Sequence, residues 1–104
     1  MYENFLAKRL SDLRQQKGSS ARDMSLSIGQ NPNYINHVET GKINPSMQAF
    51  FYICEYLNVS PKEFFDDSVE LPALLNELTT ELKTLDGTAL THLLGLAKEL
   101  NSKK

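Results

Sequence analysis

The chain has 104 residues, a single cysteine and a formal net charge of −2, which leaves room for one domain with a modest core and a short accessory segment. Hydrophobic and charged fractions of 40% and 23% are ordinary for a globular protein, no apolar run reaches bilayer-spanning length, and Met1-Tyr2-Glu3-Asn4 places no basic segment ahead of an apolar one, so secretion and membrane insertion are not expected. The lone Cys54 excludes an internal disulfide and a cysteine-rich zinc site, and the expected compartment is the reducing cytoplasm.

Helical signals run through the chain in order. From Asn4 to Lys17 the apolar residues Leu6, Leu10 and Leu13 recur at helical spacing beside Phe5, with Lys8, Arg9, Asp12 and Gln15 expected on the opposite side and Gly18 as a left-handed cap. Ser20-Ala21-Arg22-Asp23 is a near relative of a capping box and opens a short helix with Met24 and Ile28 inward, closed by Gly29. Asn31 is then expected as N-cap and Pro32 in the first turn of a third helix, with Ile35 and Val38 inward and Gly41 beyond its end. After a loop at Lys42-Ile43-Asn44-Pro45, Ser46 caps a fourth helix with Phe50, Ile53, Cys54 and Leu57 inward. Ser60-Pro61-Lys62-Glu63 repeats the start signal for a short fifth helix ending at Phe64-Phe65.

Asp66-Asp67-Ser68 reads as a boundary between residues 1–66 and a C-terminal helical segment, 69–101. In that segment Leu71, Leu74/Leu75, Leu78, Leu82 and Leu85 form one stripe, ended by Asp86-Gly87, and Leu90, Leu93/Leu94, Ala97 and Leu100 form a second, before the basic tail Lys103-Lys104. A hairpin of two such helices leaves an apolar face that must cover the domain or pair with another chain. Charge divides unevenly: residues 1–62 carry seven Lys/Arg against five Asp/Glu, and residues 63–104 carry four against eight.

Helices two and three hold the diagnostic geometry. A helix-turn-helix needs a small residue where its helices cross, a glycine at the turn and apolar residues inward on its second helix. Ser25, Gly29, Ile35 and Val38 meet these needs, although any helical bundle with a glycine turn shares part of the pattern. The wider sequence is more specific. Leu-Ser-Asp-Leu-Arg-Gln-Gln-Lys-Gly (10–18), Ile-Gly-Gln-Asn-Pro-Asn-Tyr-Ile-Asn-His-Val-Glu-Thr-Gly-Lys (28–42), Asn-Pro-Ser (44–46) and Leu-Asn-Val-Ser-Pro-Lys-Glu-Phe-Phe (57–65) resemble the lambda-repressor-like (Xre, Cro/C1) DNA-binding family over residues 5–65. The resemblance implies an all-α fold: a five-helix lambda-repressor-like domain followed by the C-terminal helical hairpin.

The resemblance also implies roles for residues. In this family the second helix of the motif lies in the major groove. Carried over position by position, the base-reading candidates are Asn33, Tyr34 and His37, with Asn36 secondary. Pro32 stands where many relatives present a polar side chain, which implies one base contact fewer. Phosphate candidates are Arg22, Gln30, Asn31, Thr40, Lys42 and Asn44; Ala21 replaces a glutamine common at the start of the second helix. Arg14 and Glu39 match a family ion pair that holds the recognition helix.

The remaining residues of note have plainer expectations. His92 is structural, Cys54 a buried small apolar residue, and the aromatic residues of 50–65 serve core and interface packing. Leu74, Leu78, Leu82, Leu93 and Leu100 are expected to bury a homodimer interface, because two-fold operators suit two-fold proteins. With no Gly-rich phosphate loop, metal-ligand cluster or nucleophile motif, the expected protein is a non-enzymatic regulator. It would repress by binding double-stranded DNA as a homodimer, with no cofactor, membrane or small-molecule partner evident. The alternative is a protein-interaction module on the same fold, an antirepressor or an antitoxin-like partner, with the acidic leucine-rich tail as its working surface.

Overall fold

The computed structural model describes residues 2–103, with side chains from Asn4 onward; Met1 and Lys104, the second lysine of the basic tail, lie outside them. The fold is all-α, with no strand among the described residues. The helices are α1 (Tyr2–Lys17), α2 (Ala21–Ser27), α3 (Tyr34–Glu39), α4 (Met47–Leu57), α5 (Pro61–Phe65), α6 (Pro72–Leu82) and α7 (Gly87–Ser102).

Local chemistry accounts for most of their ends. The Oγ atoms of Ser20, Ser46 and Ser60 accept from the backbone N–H groups of Asp23, Ala49 and Glu63, so each satisfies a donor left open by a first helical turn. Ser60 and Glu63 complete a reciprocal capping box, with the Ser60 N–H donating to Glu63 Oε1 at 2.8 Å. The ends of α1 to α4 share another device. After each helix a residue with positive φ (Gly18, Gly29, Gly41 and Asn58) turns the chain while two N–H groups fold back onto the last turn. At Gly29, φ is +78° and the bonds run from Gly29 N–H to Leu26 O and from Gln30 N–H to Ser25 O.

The start of α3 corrects the expectation for Asn31. Asn31 does not cap the helix: its Oδ1 accepts from the Asn33 N–H at 2.9 Å and its carbonyl accepts from Tyr34, forming a turn around Pro32. The helix follows that turn, with Asn33 at its N-cap. The short Asn side chain bonds its own backbone two residues on, and this competes with its use as a helix cap.

The chain divides into two compact units, residues 1–73 and 74–104. In the first, α3 packs on α2 and α1, and α1 also meets α4 and α5. One cluster holds Leu10, Leu13, Met24, Ile28, Ile35, Val38, Ile53 and Leu57 together with Phe50, Cys54, Val59 and Phe64, and Leu6 packs against it half-buried. Phe64 is fully buried, edge-on to Phe50 at 5.1 Å between ring centroids. Of the aromatic residues expected in core and interface packing, Phe51, Tyr52 and Phe65 keep 46, 42 and 51% of their surface exposed, while Phe65 also packs on Phe5, Phe50 and Phe64.

Arg9 is a second correction. Expected on the outer face of α1, it is only 6% exposed. Its guanidinium donates to the carbonyls of Phe64 (2.6 Å), Glu63 (2.9 Å), Asp66 (2.9 Å) and Val69 (3.3 Å). Those oxygens include carbonyls of the last turn of α5, among them Phe64 O, which a fork of N–H donors is shaped to meet. Asp66, in the Asp66-Asp67-Ser68 run read from sequence as a boundary, and Val69 and Glu70 after it are thus bonded to α1, and the division falls between Ala73 and Leu74.

Beyond it, α6 continues and Asp86 caps α7 through the Ala89 N–H. None of the residues of α7 is buried, and Leu74, Leu78, Leu93 and Leu100 are 58, 53, 40 and 58% exposed, with Leu82 half-buried.

Candidate nucleic-acid interface

Two buried residues, Ile35 and Val38, at 0 and 1% exposure, anchor one side of α3. Removing such side chains from water contributes about 1.5–3 kcal/mol each. The helix start is held by Ser25, which is fully buried: its Oγ donates to Ala21 O at 2.7 Å and accepts from the Ile35 N–H at 2.9 Å. A donor in the first turn of α3 is therefore satisfied from α2, and the angle between the two helices is locked by a hydrogen bond as well as by close packing. Sequence reasoning found Ser25 by its size; its acceptor role had no sequence signal.

The end of α3 is held from α1. Arg14 Nε lies 2.7 Å from Glu39 Oε2 and its Nη2 lies 3.0 Å from Oε1, a two-pronged pair with side chains 16 and 10% exposed. A further Arg14 nitrogen donates to Ser19 O at 2.9 Å. The hydrogen bond to Glu39 holds the Arg14 guanidinium above its ordinary pKa, against the opposing effect of burial.

Between these fastenings α3 presents its polar side. Asn33, Asn36 and His37 stand at i, i+3 and i+4 and so share a face; the two asparagines are exposed and His37 is half-buried. Asn33 makes no capping bond with its side chain, so its amide is not committed within the helix. Tyr34 departs from the expectation that it would point away from Ile35 and Val38. One turn before Val38, it packs half-buried against the core cluster, and burial raises the pKa of its hydroxyl.

Arg22, Asn31, Thr40, Lys42 and Asn44 are exposed and Gln30 is half-buried. The Thr40 hydroxyl donates to Asn36 O at 2.9 Å, a bond it must exchange before donating to a phosphate. Backbone N–H groups of Gly41 and Lys42 are used inside the cap of α3, so the contribution of Lys42 to an anion is its ammonium. Other cations of this unit are engaged elsewhere: Lys8 pairs with Asp12 at 2.9 Å and Lys17 lies over the Tyr56 ring at 4.7 Å. The first unit as a whole carries seven Lys/Arg against nine Asp/Glu, so the positive bias assigned to residues 1–62 does not extend to the folded unit, which takes in Glu63, Asp66, Asp67 and Glu70.

Two short helices crossing at a buried serine, a glycine turn, and a second helix with one face in the core and a polar face outside define a helix-turn-helix DNA-binding protein. The helix-turn-helix family model matches residues 10–64, just over half of the chain, and the chain belongs to this lambda-repressor-like family of DNA-binding transcription regulators. No curated protein and no solved structure matched it significantly. No described helix is long and apolar enough to cross a membrane, and no group of three His, Cys, Asp or Glu among the described residues is placed to hold a metal ion.

Proposed function

We propose that the protein is a cytoplasmic repressor that binds a two-fold operator as a homodimer and acts by occupying DNA, without catalysis or a cofactor. The observation that carries this reading is the double fastening of α3, by Ser25 at its start and Arg14 at its end, behind an outward row of Asn33, Asn36 and His37. Asn amides bond adenine edges bidentately and a neutral imidazole donates or accepts once. Tyr34 adds its hydroxyl at the margin of that face, and Arg22, Gln30, Asn31, Thr40, Lys42 and Asn44 contact phosphates around it. Residues 1–66 carry this recognition function, while Leu74, Leu78, Leu82, Leu93 and Leu100, in the 69–101 segment, bury the dimer interface.

A second reading, a protein-interaction module, draws on the acidic balance of the first unit and on the exposed leucines of α6 and α7. Selection from a random duplex pool separates the two. A recovered two-fold motif that is lost on Asn33→Ala supports the repressor; no enriched sequence at low salt removes it in favour of the interaction module.

A further inference from the structure

The closing turn of α2 and one side of α4 form an open groove of about 550 Å³, lined by Ser27, Ile28, Gly29, Tyr52, Glu55 and Tyr56. That size falls within the roughly 300–1,000 Å³ of small-ligand sites. Gly29 leaves its edge clear, since a Cβ placed there would meet nothing within 4 Å. Tyr52, Glu55 and Tyr56 stand at i, i+3 and i+4 and so share one side of α4. Tyr52 and Glu55 are exposed, and Tyr56 is half-buried against the core. Both tyrosine hydroxyls have partners within the chain: Tyr52 accepts from Gln48 Nε2 at 3.1 Å, and Tyr56 shares a 2.5 Å bond with Ser19 Oγ. The Glu55 carboxylate has no ion-pair partner among the described residues, and no described lysine or arginine lines the groove.

We propose that this groove takes an arginine side chain from a partner protein, stacked on Tyr52 and paired with Glu55. A cation is drawn to the negative face of an aromatic ring and to a carboxylate alike. Arginine suits the pair better than lysine, because its planar guanidinium stacks on a ring while its N–H fork meets a carboxylate with two bonds. Half of this chemistry is already present at Tyr56, whose ring lies 4.7 Å from Lys17 Nζ. That charge repels a second cation from Tyr56 and leaves Tyr52, one turn earlier on α4, as the ring for the partner. The balance of seven Lys/Arg against nine Asp/Glu in the first unit favours a basic partner as well. None of the residues proposed for DNA contact lines the groove, so its chemistry does not depend on the operator reading.

The test titrates the full chain with an end-capped Gly-Arg-Gly tripeptide and with its citrulline counterpart, in which a neutral urea replaces the guanidinium at nearly the same shape. Backbone amide resonances report where each binds. At millimolar concentration the arginine peptide should shift Ser27, Gly29, Tyr52 and Glu55 saturably, and the citrulline peptide should leave them in place. Glu55→Gln and Tyr52→Ala should each weaken binding by about two- to five-fold. Both residues are exposed and outside the core cluster, so the melting temperature of each variant should match wild type. No shift at Gly29 and Tyr52, shifts scattered over the acidic surface, equal shifts from citrulline, or an affinity unchanged in both variants overturns the site and leaves the operator reading untouched.

Discussion

On the proposed reading, Asn33, Asn36 and His37 differ from Lys42 in what they would offer a duplex, and the difference is measurable. Amides and imidazoles suit base edges, whereas the proposal gives the loop ammonium of Lys42 a phosphate contact, which carries no sequence information. Asn33→Ala or His37→Ala should cost about 1–3 kcal/mol at the selected operator and relax preference at particular base pairs. Lys42→Ala should weaken all sequences alike and make the salt slope shallower by roughly one unit. Equal losses on cognate and random DNA for Asn33→Ala would remove that residue from the recognition face. Cys54 illustrates burial acting on a titratable group: at 2% exposure its thiol is pushed up to about 11 from 9.0. A folded-state pKa raised above the unfolded value means that the stability it contributes is complete below pH 9.0 and is lost as pH climbs through about 11. The melting temperature should therefore decline across that window, and Cys54→Ala should make the decline smaller. An identical alkaline profile for the two proteins would count against this account.

At the scale of elements, α3 owes its position to its fastenings more than to its own length. Six residues are too few for an independent helix, since nucleation is unfavourable and few bonds follow it. Ser25→Ala leaves the Ile35 N–H without its acceptor in a buried place and should cost about 1–3 kcal/mol. An unchanged urea midpoint would mean that Ile35 finds another partner. Arg14→Ala strands Glu39, whose side chain is 10% exposed. The loss should approach about 3 kcal/mol, the lower end for a broken buried pair, since water still reaches both groups. Base preference in a selected pool should nonetheless stay the same, because neither residue belongs to the polar face of α3. A shifted consensus would instead make Arg14 a recognition residue.

At the scale of the molecule, α6 and α7 present a problem of cover. Both helices carry several leucines that are 40–58% exposed, and apolar side chains repeated at helical spacing call for cover. A two-fold operator is read by two such helices roughly 34–36 Å apart, one turn of DNA, and the proposed pairing of two copies would supply the second. Light scattering should therefore return a dimer mass for the intact chain and a monomer mass for Leu93→Asp with Leu100→Asp. The same double variant should keep the affinity for an isolated half-site. A monomeric wild type at micromolar concentration would leave these leucines without the role assigned to them.

Much of this architecture was legible in residue order because it is local. A serine before a helix, a glycine after it and apolar residues at a 3.6-residue period act on neighbours within a turn or two, so Ser20, Ser46, Ser60, Gly29, Ile35 and Val38 declare themselves. The Arg14–Glu39 pair was anticipated only through family resemblance. Tertiary structure alone decided the rest. Arg9 looks like any outward charge on α1 until α5 brings it backbone carbonyls from 54–60 residues away. Ser25 looks merely small until the Ile35 N–H arrives, and Tyr34 looks outward until its ring meets the core. The compact unit that contains α1 to α5 runs on to Ala73, and Arg9 bonds the Asp66 and Val69 carbonyls within that stretch. Backbone carbonyls and N–H groups carry no residue identity, so a side chain whose partners are main-chain atoms far along the chain leaves no pattern to read; only the fold that gathers those atoms gives the side chain its task.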